Sequence, residues 1–222
     1  MSLTIVDFNN FWSPSGGGVR RYHLEKMNFY RYETDAVYVF VMPDSRTYTE
    51  QLTDSLIIEH VKAFKFPGKW EYRMLWKSSQ IAPILKRHKP DIIEVGSPYI
   101  LPTVVRKNAK KIVPRAKLLG FWHADFPITY VERPIAEKFG KKLGKLASQV
   151  AFAYARYEFK GFTGIQVSAE ETRLRLKRKG LPAHHQVPLG CDISMFSPTK
   201  RDEKLVSLLK QGDKDRPIIF FP

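Results

Sequence analysis

The sequence has a single cysteine, Cys191, and this scarcity excludes whole classes of structure. One thiol cannot form an intrachain disulfide or supply a zinc site made of several cysteines. Long apolar runs are also missing, since none approaches the roughly 20 residues that a membrane-spanning helix needs. The amino terminus lacks the basic segment of a secretory signal, and Asp7 interrupts its short apolar run. The sequence therefore predicts a cytoplasmic protein, either soluble or peripherally attached to a membrane.

Acidic residues are few relative to basic ones. The 222 residues include 37 Lys and Arg against 22 Asp and Glu, which gives a formal net charge of +15. Such an excess predicts an anionic partner, whether nucleic acid, a phosphorylated ligand or an anionic membrane face. With 43% hydrophobic and 13% aromatic residues, the chain can bury the core of one large domain, or of one domain and part of another.

Short apolar segments recur along the chain, with helical patterns between them. The apolar segments are typical of buried parallel strands and span 3–8, 36–42, 55–61, 90–96, 116–122 and 164–168. Helical periodicity is present in 19–30, 72–88 and 134–159, and a capping box at Ser168 starts a helix that ends at Lys179. The alternation predicts an α/β protein with an open, mostly parallel sheet and helices on both faces.

The tail has a different composition. Residues 187–204 are proline-rich and then polar, as in a linker, and a short helical pattern and a strand-like segment at 216–222 follow. We therefore expect one domain over 1–190, and over 191–222 a linker with the truncated start of a second domain.

Three consecutive glycines separate the first strand from the first helix. A strand, a glycine-rich turn and a helix N-terminus together form an anion site, because backbone N–H groups point outward and no side chain blocks a phosphate. Gly16, Gly17 and Gly18 fit that description, and Arg20 adds positive charge. A loop that only needs positive φ angles is the alternative, and the pattern matches neither the dinucleotide fingerprint nor the P-loop.

His123 directly follows the strand at 116–122, and Asp125 comes two residues later. Open α/β sheets bind ligands at the carboxyl ends of their strands, so this position favours a functional histidine over a structural one. The sequence offers no Ser or Cys in a nucleophile context and no spacing typical of a zinc site, so we expect no metal and no cofactor.

Four lysines lie close together in the helical stretch 134–159. Their spacing of i, i+3, i+4 and i+7 predicts one basic helix face, made by Lys138, Lys141, Lys142 and Lys145. Phe139, Leu143, Leu146 and Val150 line a neighbouring face. Such a helix is a candidate for attachment to a membrane surface, and a solvated face opposite a core face is the alternative.

The order of these motifs resembles the N-terminal half of a family 4 glycosyltransferase of the GT-B type. The motifs are GGGVRRY, PDIIEVGSPY, FWHADFP and VPLGCDxxxFxP, where x is any residue. The resemblance spans residues 3–222. It implies a Rossmann-like domain that faces a second one across a cleft. It also implies a hexosyltransferase that uses a nucleotide sugar, retains the anomeric configuration and acts in bacterial glycolipid or polysaccharide synthesis.

The resemblance also implies roles for individual residues. Gly16 and Gly17 match the loop that approaches the donor diphosphate or the acceptor, and His123 matches the catalytic histidine that faces the transferred sugar. Glu94 to Tyr99 match a cleft-edge loop, so we expect the acceptor pocket to include Glu94, Ser97, Tyr99 and Asp125. Ala124 departs from the Ser or Thr of many relatives and removes one possible acceptor contact.

The donor half of such an enzyme would follow Pro222. The chain alone should therefore hold the acceptor side of the cleft and be inactive, with an acceptor glycan or lipid and a nucleotide sugar as the partners of the intact enzyme. A basic nucleic-acid-binding module is the alternative, although none of the common nucleic-acid-binding motifs is present and no nucleic acid is expected. A non-catalytic phosphate- or sugar-binding module is another.

Overall fold

The computed structural model describes residues 2–13, 17–65, 72–190, 193–213 and 215–219. The chain divides into two compact units, Met1–Pro188 and Leu189–Pro222. The first unit contains the sheet and the helices that cover it. In its described part, the second contains a 3₁₀ turn, Pro198–Lys200, and the helix α7, Glu203–Lys210.

The first unit alternates strands and helices. Its strands are β1 Thr4–Phe8, β2 Val37–Asp44, β3 Tyr48–Gln51, β4 Leu56–Lys62, β5 Phe64–Lys65, β6 Arg73–Met74, β7 Ile92–Val95, β8 Lys117–Trp122, β9 Gly164–Val167 and β10 His185–Gln186. Its helices are α1 Gly18–Tyr32, α2 Ser78–His88, α3 Leu101–Ile112, α4 Arg133–Phe139, α5 Lys141–Glu158 and α6 Glu170–Arg178, and a π-helical segment, Pro127–Glu132, leads into α4.

Eight strands form one sheet in the order β10-β9-β8-β7-β1-β2-β4-β3. All neighbours in it are parallel except β3, which runs antiparallel to β4 at the edge. The chain leaves β1 towards β2 but leaves β7 in the opposite direction, towards β8. The carboxyl ends of β1 and β7 therefore form the topological switch point, the position where open α/β sheets bind their ligands.

The side chains of β1 alternate between two apolar clusters on opposite faces of the sheet. Ile5 packs with Met27 of α1, whereas Val6 and Phe8 belong to the cluster that contains residues of α2, α3, α5 and α6. One helix therefore covers one face and four helices cover the other, as right-handed crossovers require. This arrangement confirms the predicted α/β sheet with helices on both faces.

The helix predicted at 72–88 begins later than expected. Arg73–Met74 forms the short strand β6, and α2 starts at Ser78 because the side-chain oxygen of Gln80 accepts hydrogen bonds from the N–H groups of Trp76 and Lys77. The capping box predicted at Ser168 is also wrong, since the N-cap of α6 is Ala169.

The helix predicted at 134–159 is two helices. Gly140, with φ of 93°, ends α4 and precedes α5. The two pack closely because Gly144 has no side chain: a Cβ there would lie 2.6 Å from Cβ of Ala136. The predicted lysine face is consequently wrong in one respect, since Lys138 belongs to α4 and the other three lysines to α5.

Several elements lacked an assignment from sequence: α3, the edge strand β3, the short strands β5 and β10, and the π-helical segment. The polar sequence of β3, YTEQ, is exposed throughout and carries no alternation. In the tail, residues 216–219 form no strand, and the rest of the predicted strand lies outside the described residues.

Candidate active site

A buried polar network lies between α1 and the sheet. Nζ of Lys26 donates to Oδ2 of Asp7 on β1 at 2.8 Å and to Oε2 of Glu94 on β7 at 2.7 Å. The hydroxyl of Tyr38 donates to the same oxygen of Asp7 at 2.7 Å, and that of Tyr22 donates to Oε1 of Glu94 at 3.3 Å. One cation thus binds carboxylates from both strands of the switch point.

The charges of the network shift one another's pKa values. Burial alone would raise the pKa of Asp7, but attraction to Lys26 and His23 outweighs it and holds that pKa well below its usual value. Burial would lower the pKa of Lys26, but the two carboxylates raise it well above its ordinary value. Burial raises the pKa of Glu94, and Lys26 only partly opposes this. Lys26 therefore stays charged at neutral pH.

The position of Glu94 corrects one expectation. Glu94 is not in a loop at the cleft edge but within β7, directly beside Asp7 in the register, and it is only 5% exposed. Its carboxylate accepts hydrogen bonds from Lys26 and Tyr22 in the network under α1. Sequence analysis missed Lys26, although two carboxylates in adjacent apolar strands are a signal that a buried cation must accompany them.

Three strand ends meet at the switch point. Asn9 follows β1, Gly96 follows β7 and His123 follows β8. A Cβ on Gly96 would lie 2.5 Å from Nδ2 of Asn9 and 3.1 Å from Nε2 of His123, so the glycine leaves room for these side chains to converge. Nδ2 of Asn9 also donates to Nε2 of His23 on α1. We call Asn9, His23, Gly96 and His123 the strand-end cluster.

The imidazole of His123 is packed between aromatic rings. Its centre lies 4.1 Å from that of Phe121, 5.4 Å from that of Tyr22 and 5.9 Å from that of His23. Burial, and then the proximity of His23, lowers the pKa of His123 to about 3, so the ring is neutral at physiological pH. Nε2 of His123 is buried and has no hydrogen-bond partner among the described residues.

The glycine loop leads directly into the helix that carries Tyr22 and His23. Gly17 is the N-cap of α1 with φ of −77°, and neither Gly17 nor Gly18 has a positive φ. A Cβ on either would meet no atom of the described residues within 4 Å. Positive φ angles therefore do not explain these two glycines, and Gly16 lies outside the described residues.

Arg20 lies in the first turn of α1. Its guanidinium carbon is 5.9 Å from the centre of the Trp12 ring, and its Nε finds no hydrogen-bond partner in the described part of the chain. Gly18 precedes Tyr22 by about one helical turn, or roughly 6 Å along the axis. The structure thus brings the start of α1, Arg20 and His123 to the same carboxyl edge of the sheet.

The loop after β7 contains the other expected acceptor residues. Ser97 is fully buried, and its Oγ accepts from the backbone N–H of Tyr99 at 3.5 Å. Tyr99 is half-buried, with its ring edge-on to Phe126 at 5.0 Å, and burial with the nearby Tyr130 raises its pKa to about 12. Its hydroxyl therefore keeps its proton at neutral pH and can donate a hydrogen bond.

A tight turn follows Tyr99. Ile100 has φ of 57°, a region that β-branched residues rarely adopt. Two residues of α5 hold the turn: the hydroxyl of Tyr154 accepts from the N–H of Ile100 at 3.0 Å, and the buried carboxylate of Glu158 accepts from the N–H of Thr103 at 3.2 Å. Such strain is typical of functional sites, and sequence analysis did not anticipate it.

Asp125 forms an ion pair with a residue of α6. Its Oδ2 lies 2.7 Å from a guanidinium nitrogen of Arg175 on α6, and burial raises its pKa despite that cation. The ion pair ties the loop after β8 to α6, beside the strand-end cluster. In the described part of the chain, no group of three His, Cys, Asp or Glu is arranged to hold a metal ion, and no helix is long and apolar enough to cross a membrane.

A mostly parallel sheet with a topological switch point and helices on both faces defines a Rossmann-like α/β domain. The family model for Glycosyltransferase Family 4 matches residues 16–195, and the chain belongs to that family. This confirms the resemblance seen in the motifs. No curated protein sequence matches the chain.

Two solved structures are similar in fold. A glycosyltransferase from Rickettsia africae has a TM-score of 0.55 and 17% identity, over 98% of this chain and 51% of that chain. A sucrose-phosphate synthase from Thermosynechococcus elongatus has a TM-score of 0.51 and 8% identity, over 94% of this chain and 98% of that one. The chain thus spans about half the length of the Rickettsia structure, and its architecture matches GT-B glycosyltransferases.

Proposed function

We propose that this chain forms the acceptor half of a retaining glycosyltransferase. In the proposed reaction a hexose moves from a nucleotide sugar to a glycan or a lipid-linked acceptor, in bacterial glycolipid or polysaccharide synthesis. The observation that carries the proposal is the neutral imidazole of His123 at the switch point of a family 4 domain, whose buried Nε2 has no hydrogen-bond partner among the described residues.

The neutral state of His123 suits the binding of a sugar. A buried nitrogen without a partner is costly, and a sugar hydroxyl could satisfy it. In the reaction, the bond from C1 of the hexose to the diphosphate breaks, the acceptor oxygen bonds to C1, and the leaving diphosphate takes the acceptor's proton. His123 positions the sugar in this scheme and gives up no proton, because its pKa of about 3 leaves it neutral.

The start of α1 has the features of a site for the diphosphate. Its N-terminal N–H groups and dipole favour an anion, and Gly17 and Gly18 place no side chain in the way of one. Arg20 adds a cation whose Nε is unpaired in the described residues. The proposal requires neither a metal nor another cofactor, because these groups would neutralise the leaving diphosphate.

The proposal also covers the donor half of the intact enzyme and the enzyme's location in the cell. The nucleotide would be held by a donor half, so this chain by itself would bind acceptors and transfer no sugar. We place the enzyme in the cytoplasm, peripherally on an anionic membrane face, and the net charge of +15 supports this placement.

Saturation-transfer NMR on the 222-residue protein tests the binding chemistry. We expect hexopyranosides and short oligosaccharides to receive saturation, and His123→Ala to reduce their binding by at least about tenfold, as the loss of a good hydrogen bond to a buried group does. Lys177→Ala, an exposed change on α6, is the control and should leave sugar binding unchanged. In a protein that also carries a donor half, His123→Ala should lower turnover by orders of magnitude.

The nucleic-acid alternative makes the opposite prediction. It requires tight binding of DNA or RNA that weakens steeply with salt, with no response to hexoses. That result, or sugar binding that does not change in His123→Ala, would overturn the proposal.

A further inference from the structure

The helix α5 presents apolar side chains to solvent. Its buried side is made largely of small residues, among them Gly144, Ser148, Ala151 and Ala155. The larger aliphatic residues point the other way: Leu143 is 46% exposed, Leu146 57% and Val150 65%. The apolar face named from the sequence is therefore exposed, and the core face of α5 is a different one that includes Ala151, Phe152 and Ala155.

These exposed residues share one face. Leu143, Leu146, Val150 and Tyr157 stand at i, i+3, i+7 and i+14, so they align along the helix over about 21 Å. Tyr157 is 55% exposed and closes the line at the carboxyl end of α5. A continuous line of exposed apolar residues is typical of an interaction site, whereas single exposed apolar residues are common on any protein surface.

Basic residues flank the apolar line on one side. In an α-helix, Lys142, Lys145 and Arg156 fall along one edge of the line, and all three are exposed. Lys141 at the start of α5 and Lys138 at the end of α4 add to this charge, and Glu137 of α4 is an exposed carboxylate nearby. The one carboxylate of α5, Glu158, is buried and holds the start of α3. We call the apolar line and its basic edge the α5 face.

We propose that the α5 face docks the protein on an anionic membrane surface. An amphipathic helix that lies in the interface inserts its apolar residues among the acyl chains and sets its lysines against the phosphates. Charge complementarity selects this occupant, because a second copy of the chain would bring the same lysines against each other. The inference rests on the proposed membrane placement but not on the transfer reaction.

Co-sedimentation of the 222-residue protein with vesicles tests the proposal. We expect binding to phosphatidylcholine vesicles with about a third phosphatidylglycerol, weak binding to phosphatidylcholine alone, and loss of binding at high salt. Changing Lys138, Lys141, Lys142 and Lys145 to Gln should weaken binding by more than about tenfold, since each lysine near an anionic surface contributes a factor of roughly five.

Two matched variants separate docking from general attraction. Changing Lys86, Lys107, Lys110 and Lys111 to Gln removes the same charge from exposed positions on α2 and α3, and should alter binding by less than about threefold. Leu146→Gln with Val150→Gln keeps every charge, and should weaken binding by about tenfold or more because it removes two apolar anchors.

Three results would overturn the proposal. Equal losses of vesicle binding in the two lysine variants would show that binding depends on net charge alone. Unchanged vesicle binding in the Leu146→Gln, Val150→Gln variant would show that the apolar line does not contact the membrane. A dimer in solution that this apolar variant dissociates, without vesicle binding by the wild type, would assign the face to a second copy. The sugar-binding experiment is unaffected by any of these outcomes, so the two proposals fail separately.

Discussion

At the scale of single residues, His123 couples the site to pH through its lowered pKa. The folded protein holds this imidazole neutral down to a pKa of about 3, whereas the unfolded chain protonates it near pH 6.5. Protons therefore bind preferentially to the unfolded state between these values, and the stability that His123 contributes above pH 6.5 is lost as the pH falls towards 3. Between pH 7.5 and 5.5 this loss amounts to about 1.4 kcal/mol.

Urea unfolding of the wild type and His123→Gln at these two pH values isolates that contribution. All other ionisable groups are common to the two proteins, so the difference between their pH dependences is assigned to His123. We expect the variant to lose less stability on acidification, by about 1.4 kcal/mol. Identical pH dependences would show that His123 titrates normally in the folded protein.

At the scale of elements, a buried charge attaches α1 to the sheet in addition to the apolar packing of Met27. Nζ of Lys26 lies between Asp7 and Glu94, and the buried residues of α1 are His23 and Met27. Lys26→Met would leave two carboxylates without their cation, which costs about 3–5 kcal/mol for a buried pair. Arg21→Met is the matched control, because it breaks an exposed pair with Glu25 on the same helix and should cost less than about 1 kcal/mol.

Chemical denaturation of both variants measures these costs. The penalty of Lys26→Met should shrink in acid, since Glu94, whose pKa burial already raises, can then take up a proton. Similar costs for the two variants would mean that the buried network contributes no more than a surface ion pair.

Elements also show what local sequence could predict. The apolar strands β1, β2, β7, β8 and β9 were predictable because a buried parallel strand must be almost wholly apolar. The start of α2 and the break at Gly140 were not, because the first depends on the Gln80 side chain and the second on close packing of Gly144 against Ala136. Pattern alone does not contain such contacts.

At the scale of the whole molecule, the topology creates the site. Asn9, Gly96 and His123 are far apart in sequence, and they meet because β1, β7 and β8 are neighbours with their carboxyl ends at one edge. Sequence analysis could predict that His123 lies at a strand end, but not that Gly96 gives it room or that its ring is neutral. Those properties arise from side chains that only the fold brings together.

The imidazole resonances of His123 provide the most direct test of the claim that this edge binds a sugar. In the labelled 222-residue protein, we expect ¹⁵N shifts of a neutral ring that does not titrate between pH 7.5 and 5, in accord with a pKa of about 3. Addition of a bound hexoside should shift the Nε2 resonance, because the sugar would supply its missing partner. A ring that titrates near pH 6.5, and whose Nε2 resonance stays unchanged as sugar is added, would contradict the account.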